Sequence, residues 1–141
     1  MYGLAATGKS EVVNRVLGAL STGDEEGDAL KLRYAIVRSA ECITGRHLLE
    51  RTVAVVADAV GWQGATGRCE NLAQLGVLLG KMVESAQAEG GARFVLVFDG
   101  IDEQRDAPPT LLPALARLGE VVGCSLFSTR VVDGIERTNM W

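Results

Sequence analysis

The sequence predicts an α/β fold in three layers, with a mostly parallel sheet between helices, and three observations carry that prediction. The run "FVLVF" at 94–98 is continuously apolar, as a strand buried on both faces must be. Strand-like runs alternate with helix-period segments, the order produced by parallel strands joined through crossover helices. Finally, "YGLAATGKS" at 2–10 is a glycine loop that opens directly into a helical pattern.

Each element follows from its residues. In "KSEVVNRVLGAL", Val12, Val13, Val16, Leu17 and Leu20 recur at helical spacing, which predicts an amphipathic helix. The acidic "STGDEEGD" is a solvated turn, without the spacing of a calcium loop. "LRYAIVRS" is a short β-rich run with Tyr34, Ile36 and Val37 as its expected core. A second helix runs from Thr44 as N-cap to Gly61 just past its end. In the loop "WQGATGRC", Trp62 is expected to anchor the chain against the core. A third helix repeats its apolar face at Leu72, Leu75, Leu79, Met82 and Val83 and stops at paired glycines. The apolar strand ends at Asp99, and after the loop "IDEQRDAPP" the pair Pro108-Pro109 sets up the helix "TLLPALARLGEVVG". "CSLFST" is the last short strand.

With 141 residues there is room for one domain with a real core. A net charge of −4 provides no basic field for nucleic acid, so any DNA contact has to come from a local patch or from partner chains. Cys42, Cys69 and Cys124 are widely spaced and odd in number, which fits buried free thiols rather than disulfides or zinc. The apolar runs stay short of a membrane span, and the start of the chain lacks the pattern of a signal peptide, so a soluble intracellular protein is expected.

The chemistry begins at the glycine loop. Gly3-Leu4-Ala5-Ala6-Thr7-Gly8-Lys9-Ser10 matches G-x-x-x-x-G-K-[ST] at every fixed position. Glycines let successive backbone N–H groups close around phosphate oxygens, and the helix that follows adds the positive end of its dipole. Lys9 is placed to reach the β- and γ-phosphates of ATP, Ser10 to ligate Mg²⁺, and Glu11 closes the binding segment. Chance would supply such a match with a probability on the order of one per cent. The second half of such a site is a hydrophobic strand ending in an acid that holds the magnesium hydration shell, and Asp99 fills that role. The expected fold is therefore an incomplete P-loop NTPase.

The order of elements resembles the ring-forming AAA+ ATPases, in which a glutamate that activates the attacking water commonly follows the strand aspartate. Here Gly100 stands at that position, and Asp102 and Glu103 are offset from it. ATP binding with little or no hydrolysis is the expectation. His47 beside Arg46 reads as a surface or satisfied side chain, not a general base. Ser128 and Thr129 fall where AAA+ proteins place a polar residue that senses the γ-phosphate.

Three segments together resemble the subunit 5 family of the eukaryotic origin recognition complex, in a form similar to that of fungi. They are "YGLAATGKS", "VRSAECITGRHLLERTV" and "VLVFDGIDEQRDAPPTLLPALARLGEVV", and the likeness runs from Tyr2 to about Val122. This resemblance implies an ATP-binding member of a nuclear hetero-hexamer that marks replication origins and helps load the helicase. Nucleotide would be held at a subunit boundary, a neighbouring subunit would supply the arginine facing the γ-phosphate, and the ring as a whole would contact origin DNA. It also implies that the loop-bearing strand lies in mid-sheet beside the strand at "CSLFST". That strand is reduced here to Met1 and Tyr2. Residues 1–123 are accordingly read as a partial AAA+ domain and 124–141 as a last strand and divergent tail. The helical lid and winged-helix region have no counterpart in the 141 residues, so a truncated, marginally stable chain is expected. A P-loop kinase acting on a small molecule is the alternative, but Arg46, Arg51 and Arg68 are too scattered to form its phosphoryl clamp. A signalling ATPase would show a different pattern after the acidic strand.

Overall fold

The computed structural model describes residues 8–22, 32–88, 93–101, 104 and 110–122 in full, and the backbone of 2–3 and 125–131. Four strands, β1 (Tyr2–Gly3), β2 (Leu32–Arg38), β3 (Arg93–Asp99) and β4 (Ser125–Val131), form one sheet in the order β1-β4-β3-β2. Every pairing among them is parallel. The loop-bearing strand thus lies beside β4, as expected, but at the edge of the described sheet and not in its middle, because only Tyr2 and Gly3 form it and they pair with β4 alone; β4 runs two residues beyond "CSLFST".

Among the described residues four α-helices join the strands: α1 (Lys9–Thr22), α2 (Gly45–Val60), α3 (Leu72–Ala88) and α4 (Leu111–Val122). The three-layer α/β/α arrangement is visible in how the core divides. Phe94, Leu96 and Phe98 of β3, with Ala35 and Val37 of β2, join the buried faces of α2, α3 and α4 in the larger cluster. The alternate residues Val95 and Val97 meet Leu17 of α1 on the other face.

Local chemistry sets the helix ends. Thr44 caps α2, its Oγ1 accepting from His47 N–H at 3.1 Å, and Gly61 ends the helix in the left-handed conformation. His47 Nδ1 in turn accepts from Ile43 N–H at 3.4 Å, so this exposed imidazole is a capping group. Asn71 caps α3 through Oδ1, which accepts from Gln74 N–H at 2.9 Å, while Gln74 Oε1 accepts from Glu70 N–H at 2.9 Å. In α4 the carbonyl of Thr110 accepts the first helical bond from Ala114. Pro113 therefore sits in the first turn, where a missing N–H costs nothing.

Two core expectations need correction. In β2 the deeply buried residues are Ala35 and Val37, whereas Tyr34 and Ile36 are half-buried on the α1 side. The α1 helix buries only Leu17 fully; Val12, Val16 and Leu20 are at least half exposed. Both departures have one cause. Three helices cover one face of the sheet and a single described helix covers the other, so an identical alternation gives unequal burial. Leu72 likewise is only half-buried, at the first position of α3. Trp62 packs on the larger cluster, as its loop position predicted.

Candidate functional site

The site is built at the carboxyl edge of the sheet, where open α/β sheets bind their ligands. Gly3 ends β1, and α1 begins at Lys9. Leu4, Ala5, Ala6 and Thr7 lie outside the described residues. Gly8 has φ 76°, left-handed backbone that a residue with a Cβ adopts only at a cost, and its carbonyl accepts the first α1 bond from Val12 N–H at 2.9 Å. The chain turns there, and Lys9 and Ser10 begin the helix.

This places a lysine at the positive end of a helix dipole, so that a polyphosphate bound at that terminus would meet both. Lys9 is half-buried and Ser10 exposed. Glu11 points along the outside of the helix, where its carboxylate meets Arg15 Nε at 2.7 Å. The expected binding segment is therefore divided: Gly8, Lys9 and Ser10 stand at the helix terminus, while the Glu11 side chain is engaged elsewhere.

Asp99 is the last residue of β3, half-buried, and is paired in register with Arg38 of β2 and Thr129 of β4. On the far side of β4, Tyr2 and Gly3 pair with Arg130 and Val131. Only β4 separates the loop strand from the aspartate strand, a gap of about 10 Å at the usual strand spacing. Sheet register thus brings the two halves of the site to one edge. Thr129 is the register partner of Asp99, and Ser128 that of Phe98. Asp102, Glu103, Pro108, Pro109 and the acidic turn at 23–28 lie outside the described residues.

Gly100 also has positive φ, 65°. The backbone after Asp99 is thus bent in the sense that suits glycine, so a glutamate there would meet strain as well as a change of chemistry. Two polar side chains that the sequence does not single out are buried in the segments that follow the strands. Ser39, after β2, and Gln104, after β3, are both buried. No signal in the sequence marks either one, because burial without a hydrogen-bond partner among the described residues is a property of three-dimensional neighbours.

At the start of α2 an ion-pair network covers the surface. Arg46 reaches Glu50 at 3.1 Å and Glu70 at 3.7 Å, while Glu41 is met by Arg38 at 3.6 Å and Arg51 at 3.7 Å. These arginines are held by carboxylates at the β2 edge, and a kinase clamp over the phosphate loop would need them elsewhere. Exposed pairs of this kind contribute little to stability.

Cys42 and Cys69 are free and buried, as expected, and Cys124 lies outside the described residues. Burial pushes both thiols up from the ordinary value of 9.0; Arg51 partly opposes this at Cys42, and a backbone hydrogen bond at Asn71 does so at Cys69. A group raised in the folded state keeps its full contribution below the unfolded value and loses it as pH rises toward the folded one. Urea midpoints should therefore be level from pH 7 to 8.5 and fall above pH 9. Replacing both cysteines with alanine should flatten that alkaline limb. Among the described residues no helix is long and apolar enough to cross a membrane.

Comparison with known proteins agrees with this geometry. The family model described as AAA ATPase domain matches residues 1–128. Among solved structures, a chain of the Drosophila ORC bound to DNA is similar in fold, with a TM-score of 0.63 at 23% identity. The match covers 93% of this chain and 30% of that one, so this chain spans less than a third of its structural neighbour. No curated protein matches the chain.

Proposed function

The chain belongs to the AAA ATPase domain family, and on that premise we propose that it is the ATP-holding module of an origin-recognition-type subunit. The observation that carries the nucleotide part is the helix terminus. Gly8 turns the chain with positive φ, and Lys9 and Ser10 begin α1 beside the edge that ends in Asp99. Backbone N–H groups and Lys9 would hold the phosphates of ATP. The Ser10 hydroxyl and the Asp99 carboxylate are hard oxygen donors of the kind Mg²⁺ takes, and they would hold that ion. Bound there, the ion would neutralise phosphate charge.

Nucleotide would be bound with little or no turnover. Two features support this reading: Gly100 follows Asp99, and its backbone is bent with positive φ. The subunit 5 resemblance of the three sequence segments supports the finer assignment, and likeness of fold to an ORC chain is consistent with it. On this proposal the module works in the nucleus, within a hetero-hexamer of origin recognition subunits that contacts origin DNA as a whole. The lid and winged-helix regions would belong to the whole subunit.

The test is nucleotide binding and turnover by the full chain and by Gly100→Glu. The wild type should bind Mg-ATP and release no phosphate above background. Gly100→Glu should be less stable by about 1–2 kcal/mol, the cost of a side chain in left-handed backbone, and should remain without turnover. Brisk hydrolysis in that variant would show that the glycine alone withholds activity and that its backbone is free to relax. Phosphoryl transfer by the wild type to a small acceptor would favour a kinase and end the assembly reading.

A further inference from the structure

The last residue of β2 is an arginine, level with the aspartate that ends β3. Side chains along a strand alternate between the two faces of its sheet. In β2, Ala35 and Val37 lie in the larger core, while Tyr34 and Ile36 pack on the cluster that holds Leu17 of α1. Arg38 continues that second set. In β3, Phe94, Leu96 and Phe98 face the larger core and Val95 and Val97 the α1 side, so Asp99 belongs to the α1 side as well. Arg38 and Asp99 are register partners on adjacent parallel strands. Their Cα atoms are one strand spacing apart, about 4.8 Å, and both side chains leave the sheet on the face that α1 covers.

The partner that Arg38 has in this structure holds it weakly. Its Nη1 stands 3.6 Å from Glu41 Oε1, longer than a hydrogen bond, and its side chain is 61% exposed. The other oxygen of Glu41 meets Arg51 at 3.7 Å, so two arginines share one carboxylate. If Arg38 turns away, Glu41 keeps Arg51. An exposed pair of this kind contributes little, which makes such an exchange easy. By contrast Arg33, on the opposite face of the same strand, is fixed by a 2.8 Å hydrogen bond to Val60 O.

A phosphate is the stronger partner, because a guanidinium can meet it with two parallel N–H bonds. Magnesium bridges the β- and γ-oxygens of a bound triphosphate, so the terminal phosphate would lie beside the carboxylate that holds the ion. We propose that Arg38 turns from Glu41 to the γ-phosphate and makes the site selective for ATP over ADP. The proposal rests on the nucleotide reading of Lys9, Ser10 and Asp99, and adds the residue that recognises the last phosphate.

Titration of the full chain with Mg-ATP and with Mg-ADP, beside Arg38→Ala and Arg38→Lys, tests it. The wild type should bind ATP about tenfold more tightly than ADP or better. Arg38→Ala should lose about tenfold to a hundredfold in ATP affinity, the worth of a hydrogen bond to a charged group. Its ADP affinity should stay within about twofold, since only the contact to the last phosphate is removed. Arg38→Lys keeps the charge without the paired donors and should recover only part of the loss. Without nucleotide, the folding equilibrium constant of Arg38→Ala in urea denaturation should stay within about threefold of the wild type, because the change removes one exposed ion pair. Equal losses for ATP and ADP would overturn the proposal, since a cation acting through its general field attracts both. Unchanged ATP affinity in Arg38→Ala would overturn it and leave the nucleotide reading standing. A wild type that binds neither nucleotide would overturn both.

Discussion

Lys9→Ala is expected to lower ATP affinity by about 100-fold while leaving the stability of the nucleotide-free chain within about 0.5 kcal/mol of the wild type. The two halves of that expectation come from one location. Lys9 is the first residue of α1, where unsatisfied N–H groups and the helix dipole already concentrate positive character. A cation in that place does not favour the helix, which offsets the loss of the residue's own interactions, so removing it should change the stability of the fold little. With phosphate at the terminus the balance reverses, because the ammonium group then makes charge-assisted contacts at a partly desolvated site. Losing one partner of such a pair costs about 2–5 kcal/mol, which spans roughly thirtyfold to several thousandfold in affinity.

Isothermal titration with Mg-ATP, beside urea denaturation without nucleotide, measures both halves. A variant that binds ATP as well as the wild type would place the phosphates away from this terminus. A variant that unfolds would make Lys9 a structural residue, and any affinity loss would then say nothing about phosphate. Glu11→Ala is the natural companion, since its carboxylate is held by Arg15 on the outside of the helix. It should leave affinity unchanged.

How much of this was legible beforehand depends on what each residue reports. Thr44 and Gly61 marked the ends of α2 because capping is a local property of one side chain or one φ angle. The run 94–98 announced β3 because burial on both faces removes polar alternation altogether. The candidate site is legible for the same reason: Gly8, Lys9, Ser10 and Asp99 are picked out by spacing within short segments.

The outer stripe of α1 and the inner face of β2 were misread. Periodicity tells which residues share a face and is silent on whether another element covers it. Val12 and Val16 have the same spacing whether or not something packs on them, and Ala35 is too small to announce itself as core beside Tyr34. The Asn71–Gln74 cap is also a local pattern, legible from Asn71 followed three residues later by Gln74 ahead of the apolar run. Ser39 and Gln104 could not have been found, since an unpaired buried polar group is a property of three-dimensional neighbours.

That unequal coverage leads to the second large effect. Leu96→Ala should destabilise the chain by about 3–5 kcal/mol, and Leu17→Ala by about 2 kcal/mol, although both remove the same atoms. Leu96 is fully buried at the centre of β3 and faces α2, α3 and α4. A cavity there is walled by packed helices and a sheet, so little can move in to fill it. Leu17 is 8% exposed and shares its cluster with Val95, Val97 and a few half-buried neighbours beneath one helix. Its surroundings can close in, and water can reach what remains.

The order reverses for nucleotide. Leu17 holds down the helix that carries Lys9 and Ser10, so its loss should weaken ATP binding several-fold, while Leu96→Ala molecules that remain folded should bind normally. Urea midpoints and ATP titrations on both variants test the pair, with affinity referred to the folded fraction. Equal destabilisation would show that the α1 face is covered as well as the other. Unaltered affinity in Leu17→Ala would show that the helix terminus is fixed by the phosphate loop itself, independently of the packing below it.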